Sequence, residues 1–199
     1  MQTRMVICAS GEGSNFEAIV QASRSLALAA QISGLIVSRS DAGVLERAAR
    51  LQVPQKILNP KQFDQREAWD QAFLKQLQEW QADWVVLAGF LSLIGPRVLK
   101  AYAGRVVNSH PSLLPKHGGA GMYGERVHQA VISGADLETG ITIHLVDAAY
   151  DRGRILAQEK VSVLAGDTAV TLGARVKAAE RVFYPRILND LVTGRITTG

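Results

Sequence analysis

Trp84-Val-Val-Leu-Ala88 is a run of five apolar residues with no polar position to turn toward water. Met5-Val-Ile-Cys-Ala9 has the same texture, and Val106-Val107 begins another such run just ahead of Asn108. A strand with one wetted face alternates polar and apolar side chains. A strand that is apolar throughout must be covered on both faces, as in a parallel sheet sandwiched between helices. Strands are therefore read at 4–9, 35–38, 84–88 and 105–108, with a short one near 54–58.

Helical periodicity fills the gaps. Phe16, Ile19 and Val20 follow Ser14 and Glu17, which have capping-box spacing. Val44, Leu45, Ala48 and Ala49 mark a second helix. Asp64 and Glu67 are spaced to cap a third, whose Phe73, Leu77 and Trp80 share one stripe. Strand and helix in alternation predict a Rossmann-like, three-layer α/β fold with a mostly parallel sheet in its N-terminal half.

After residue 117 the texture changes. A glycine-rich loop at 118–124 precedes a helical stretch at 126–133 and strands at 139–146 and 155–163. The connection between those strands, 147–154, is short and contains Gly153, which favours an antiparallel C-terminal extension. A long terminal helix is expected over 168–192, bent or interrupted at Pro185. All 199 residues are read as one domain, with halves at about 1–104 and 105–199.

Composition narrows the function classes. Twenty-two Lys and Arg against eighteen Asp and Glu leave a charge of only +4, with no basic block for a nucleic acid. Cys8 is the single cysteine, which excludes an intramolecular disulfide and a thiolate-rich metal site. Its setting in an apolar run reads as a small buried hydrophobe. No run is long enough for a signal-peptide core or a membrane span, so a cytoplasmic protein is expected.

Three places carry chemistry. Ser10-Gly-Glu-Gly-Ser-Asn15 joins the first strand to the first helix. Its glycines permit a tight turn, and the helix start would offer N–H groups to an anion such as phosphate at Gly13, Ser14 and Asn15. It is neither a Walker loop nor a full dinucleotide fingerprint. Asn108 and His110 project the same way from a strand that Pro111 should end. A neutral donor beside a group that titrates near physiological pH suits carbonyl chemistry. His117, His128 and His144 are dispersed and lack metal-ligand spacing, so no metal is expected. A carboxylate to orient His110 could come from Asp147 or Asp151, and spacing does not choose between them.

These residues, taken in order, resemble the folate-dependent phosphoribosylglycinamide formyltransferases. The likeness runs through Ser10-Gly-Glu-Gly-Ser-Asn15, Phe63-Asp-Gln-Arg-Glu67, Val85-Val-Leu-Ala-Gly-Phe90, Asn108-Ser-His-Pro-Ser-Leu-Leu-Pro115, Asp151-Arg-Gly153 and Glu180-Arg-Val-Phe-Tyr-Pro185. The Asn-x-His-Pro-Ser-Leu-Leu-Pro string marks folate formyltransferases as a group, and the S-G-x-G-S-N turn points to the glycinamide ribonucleotide branch. The resemblance implies that Asn108, His110 and Asp151 form a catalytic trio and that the bond before Pro115 is cis. It implies that Gly13, Ser14 and Asn15 hold the substrate phosphate and that Glu180 meets the glycinamide end. Arg66, Leu91, Ser92, Leu93, Ile94 and Asn108 would line a 10-formyltetrahydrofolate site. Two departures stand out: Ser92 replaces a commonly basic residue, and the loop at 118–124 is longer than the usual Pro-Gly version.

The implied reaction is formyl transfer to the primary amine of glycinamide ribonucleotide, a step of purine synthesis. Asn108 and protonated His110 would stabilise the tetrahedral oxyanion, with Asp151 favouring the imidazolium. Rivals are a formyltetrahydrofolate hydrolase, a formyltransferase for tRNA or a nucleotide sugar, and a silent nucleotide-binding module. The hydrolases carry an N-terminal regulatory domain for which a strand starting by residue 4 leaves no room. The tRNA enzymes carry a further C-terminal domain, which is not expected here. The expected partners are small molecules, with no nucleic acid or membrane, in a monomer or homodimer.

Overall fold

The computed structural model describes residues 2–198. Seven strands form one sheet: β1 (Thr3–Ala9), β2 (Ala30–Val37), β3 (Gln55–Ile57), β4 (Trp84–Leu87), β5 (Val106–His110), β6 (Glu138–Leu145) and β7 (Ile155–Ser162). Their order is β3-β2-β1-β4-β5-β6-β7. The first five strands run parallel, while β6 pairs antiparallel with both β5 and β7. The six helices are α1 (Ser14–Arg24), α2 (Val44–Arg50), α3 (Arg66–Glu79), α4 (Pro96–Ala101), α5 (Glu125–Ser133) and α6 (Ala169–Val192). The Rossmann-like α/β architecture expected from the apolar runs is the one observed.

Alternate side chains of β1 show why those runs are continuous. Met5, Ile7 and Ala9 join a core with Phe16 of α1, Ala48 of α2 and Tyr184 of α6. Val6 and Cys8 join a separate core with Trp69 and Phe73 of α3 and Val98 of α4. Both faces are dry, so neither parity along the strand is polar. Cys8 is fully buried in that second core, and burial pushes its thiol pKa well above the ordinary value.

Some local expectations fail for identifiable reasons. Strand β2 begins at Ala30, ahead of the apolar run, because Ala30, Gln31 and Ile32 already pair with β1, and Ser33 is passed over at a register shift before Gly34. Ser14 and Glu17 form no capping box: the N-cap is Gly13, with no side-chain cap, and Glu17 instead pairs with Arg47 and Arg50. Asp64 and Glu67 do not cap α3, whose N-cap is Gln65. A capping box is formed instead by Thr168 and Thr171, at the start of α6. Pro185 sits inside α6 without ending it. Helix α4 carries no strong periodicity; it is started by Pro96 and by buried Asp70 of α3, whose carboxylate accepts from the N–H groups of Arg97 and Val98.

The strand order reverses between β1 and β4, so the segments leaving their C-terminal ends diverge and open a crevice. Ser10 N–H donates to Gly89 C=O at 3.0 Å, closing the floor of that crevice. Among the described residues no helix is long and apolar enough to cross a membrane.

Candidate active site

A cleft of about 520 Å³ occupies the switch point. Its walls come from the turn after β1, the segment after β4, the end of β5, the loop 119–124, Asp151, and the face of α6 bearing Lys177 and Glu180.

The β1–α1 turn depends on Gly13. It lies at φ 76°, and a Cβ there would stand 2.3 Å from Val44 Cγ2. With Gly13 as N-cap and no side-chain cap, the first turn of α1 keeps its N–H groups directed at the cleft that Ser14 and Asn15 line. Arg47 Nε donates to the backbone carbonyl of Glu12 at 2.7 Å and ties this turn to α2.

Strand β5 places Asn108 and His110 on one side, as the alternation predicts, and ends at His110. Ser109 faces α6, where its hydroxyl donates to Glu180 Oε1. Asp151 lies between two imidazoles: its Oδ2 is 3.4 Å from His110 Nδ1 and its Oδ1 is 3.5 Å from His144 Nε2. The backbone N–H of Gly119 donates to the same Oδ2 at 3.0 Å. The choice between the two aspartates is thus resolved. Asp147 accepts from Ala149 N–H as an ordinary turn residue, whereas Asp151, at φ 55°, reaches the cleft. Gly153 makes this possible, since a Cβ there would stand 1.8 Å from Leu145 O.

Histidine tautomers follow from their partners. His144 Nδ1 faces the Leu145 carbonyl at 2.8 Å and must carry hydrogen, leaving Nε2 to accept from Asn108 Nδ2 at 3.0 Å. That contact fixes the orientation of the Asn108 amide. His144, opposite Asn108 in the β5–β6 ladder, is a member of the site that sequence reasoning missed. Its sequence signal was a polar residue sharing the Thr142 parity of a strand that the structure buries on both faces. His110 Nε2 donates to the His117 carbonyl at 2.8 Å, so Nδ1 is the position where its second proton comes and goes.

Burial is the main influence on His110 and lowers its pKa below the ordinary value, against the upward pull of Asp151. Burial therefore opposes the imidazolium that the pairing with Asp151 favours. For Asp151, burial acts upward, but the two neighbouring imidazoles and the N–H of Gly119 outweigh it, and its pKa falls below the ordinary carboxyl value. Glu180 goes the other way: burial raises its pKa, opposed by Asn15 and Ser109. Lys177, one turn before Glu180 on α6, adds a cation to the same wall and was also missed. Its spacing of three from Glu180 was the available signal.

The residues assigned to folate are only partly gathered. Leu91 lines the cleft, but Arg66, Ser92, Leu93 and Ile94 do not. Arg66 stacks 4.1 Å above the Trp69 ring and donates to the Leu93 carbonyl, and Ile94 is buried in the α3–α4 core. The Leu114–Pro115 bond is cis, as the resemblance implied. Among the described residues no group of three or more His, Cys, Asp and Glu is arranged to hold a metal ion.

The same arrangement of sequence and fold occurs in known proteins. The phosphoribosylglycinamide formyltransferase of Escherichia coli (strain K12) is 34% identical over 96% of this chain and 88% of its own length. The chloroplastic enzyme of that name from Vigna unguiculata is 40% identical over 97% of this chain, which spans 62% of that longer protein. The crystal structure of the Bacillus halodurans phosphoribosylglycinamide formyltransferase superposes with a TM-score of 0.90 at 40% identity, covering 97% of both chains. The Formyl transferase family model matches residues 3–188, and the chain belongs to that family.

Proposed function

We propose that this protein transfers the formyl group of 10-formyltetrahydrofolate to the primary amine of glycinamide ribonucleotide. The observation that supports this reading best is the meeting of Asn108, His110 and Asp151 in a cleft whose far wall carries an uncapped helix start and a buried carboxylate. Gly13, Ser14 and Asn15 take the substrate phosphate, with Lys177 adding charge, and Glu180 receives the glycinamide end. Leu91 borders the folate, and Arg66, bonded to the Leu93 carbonyl, braces the 91–94 segment that carries it.

The amine nitrogen attacks the formyl carbon, a new N–C bond forms, and the carbonyl electron pair moves to oxygen. Asn108 donates its free amide hydrogen to that oxyanion, where a preset donor is worth on the order of 100- to 1000-fold in rate. His110 Nδ1 takes the proton lost by the amine, and the imidazolium so formed sits between the oxyanion and Asp151. Collapse breaks the bond to the folate nitrogen, which leaves with that proton. Burial lowers the His110 pKa and so favours the neutral form that can accept this proton.

The test is to mix the protein with the formyl folate, with and without glycinamide ribonucleotide, and follow the folate absorbance. Turnover that requires the ribonucleotide is expected. Turnover without it would mean hydrolysis, and none in either case would end the catalytic reading.

A further inference from the structure

His110 is held at both ring nitrogens, and both holders depend on one short segment, residues 117–119. The carbonyl of His117 accepts from His110 Nε2 at 2.8 Å. Two residues on, Gly119 N–H donates at 3.0 Å to the Asp151 oxygen that faces His110 Nδ1. Gly118 between them lets the segment press against its neighbours, since a Cβ there would stand 2.4 Å from Leu114 Cδ2 and 3.3 Å from Asp151 Cβ.

His117 has a left-handed backbone at φ 57°, and Asp151, the other residue flanking the imidazole, is also left-handed at 55°. Such a conformation costs a residue with a side chain about 1 kcal/mol or more and persists only where the surroundings enforce it. At His117 the enforcing contact is visible. Its Nε2 donates to Asp136 Oδ2 at 2.6 Å, while the other oxygen of Asp136 pairs with Lys116. The side chains of His117 and Asp136 are only 15% and 11% exposed. Asp136 lies in the turn before β6, outside the catalytic cleft, beside a separate small cavity of about 210 Å³.

We propose that Asp136 is a positioning residue for the reaction, acting through the His117 side chain to hold the backbone segment that fixes both nitrogens of His110. This rests on the function proposed above and adds to it a site of control that no catalytic side chain shares. The groups acting on His110 are Asp151, His117 and His144, with His128 also within electrostatic reach. Of these, the His117 carbonyl and Asp151 favour its charged form. Releasing the segment weakens both influences, so the affinity of His110 for a proton should fall.

The experiment compares Asp136→Ala, which deletes the anchor, with Asp136→Asn, which keeps an oxygen for His117 Nε2. Asp136→Ala should lower kcat about tenfold, leave the KM for glycinamide ribonucleotide within about twofold, and move the acid limb of kcat to lower pH. Asp136→Asn should recover most of that loss. An NMR titration of nitrogen-labelled histidine should show the His110 pKa falling in the Ala variant and less so in the Asn variant, whether or not turnover occurs. The inference fails if kcat and the His110 titration are unchanged by Asp136→Ala, or if both variants lose activity equally and in step with Tm. A wild-type protein that does not turn over but whose His110 responds to Asp136 would sink the proposed reaction and leave the positioning intact.

Discussion

Ser109 donates a hydrogen bond to Glu180, tying the strand that presents Asn108 and His110 to the middle of α6. One wall of the cleft thus carries Asn108 and His110 and the other Glu180, and this buried contact, with the Tyr184 hydroxyl on the Val107 carbonyl, joins the two.

Glu180→Gln tests that contact. The folded-state pKa of Glu180 is raised by burial, so the folded protein holds this proton more tightly than the unfolded chain. The stability it contributes is full below the ordinary carboxyl pKa and is lost as pH rises through the raised folded value. The Gln variant, which never ionises, should have a higher Tm than wild type at neutral pH and a flatter Tm profile above pH ~4.3. It should also bind glycinamide ribonucleotide about 10- to 100-fold more weakly, the range for losing a hydrogen bond to a charged group. Thermal scans across pH, with KM measured at neutral pH, check both effects.

Asp151→Asn should slow the reaction on the order of 100-fold and shift its pH profile. In wild type, His110 titrates below 6.5, so kcat should decline as pH falls through that lower region and His110 becomes charged before attack. Removing the carboxylate removes an influence that raises the His110 pKa, so the midpoint of the decline should move further down. A midpoint that moves up in the pH dependence of kcat would contradict the assignment.

His128 lines the cleft, is 2% exposed, and has an unpartnered Nδ1. Burial, with Lys177 and His110 adding to it, lowers its pKa from 6.5 to about 4. Between those values the unfolded chain binds a proton that the folded chain refuses, so stability present above pH 6.5 is lost as pH falls. His128→Gln should flatten the fall of Tm between pH 6.5 and about 4, as read by denaturation at fixed ionic strength.

Gly13→Ala should damage the phosphate end selectively. The new Cβ would meet Val44 at 2.3 Å, and the left-handed φ of 76° adds strain of about 1–3 kcal/mol. Each kcal/mol lowers Tm by about 2–4 °C in a chain of this size. The expected outcome is a moderately less stable protein whose KM for the phosphorylated substrate rises more than tenfold. Unchanged binding would remove the phosphate from this turn.

Much of the fold was legible because the strands are dry on both faces. Met5 to Ala9 and Trp84 to Ala88 could be nothing but interior strands, and Gly153 announced the antiparallel turn. Caps were not legible. Ser14 and Glu17 have the right spacing, but Glu17 is taken by Arg47 and Arg50 from α2, 30 and 33 residues away. Helix α4 was missed because its N–H groups are capped by Asp70, 27 and 28 residues distant. Pro185 reads as a helix breaker on propensity, yet burial of its neighbours Phe183, Tyr184, Ile187 and Leu188 against the sheet outweighs the lost hydrogen bond.

The site divides in the same way. The sequence by itself determined that Asn108 and His110 share a side, because the pleat repeats every second residue, and that the chain turns tightly at Gly13. Only the tertiary structure decided that Asp151 rather than Asp147 faces His110, that His144 orients Asn108, and that Asp136 reaches His117. It also decided the direction in which the His110 pKa moves, because desolvation and charge depend on what surrounds a group in space, and those surroundings come from segments far apart along the chain.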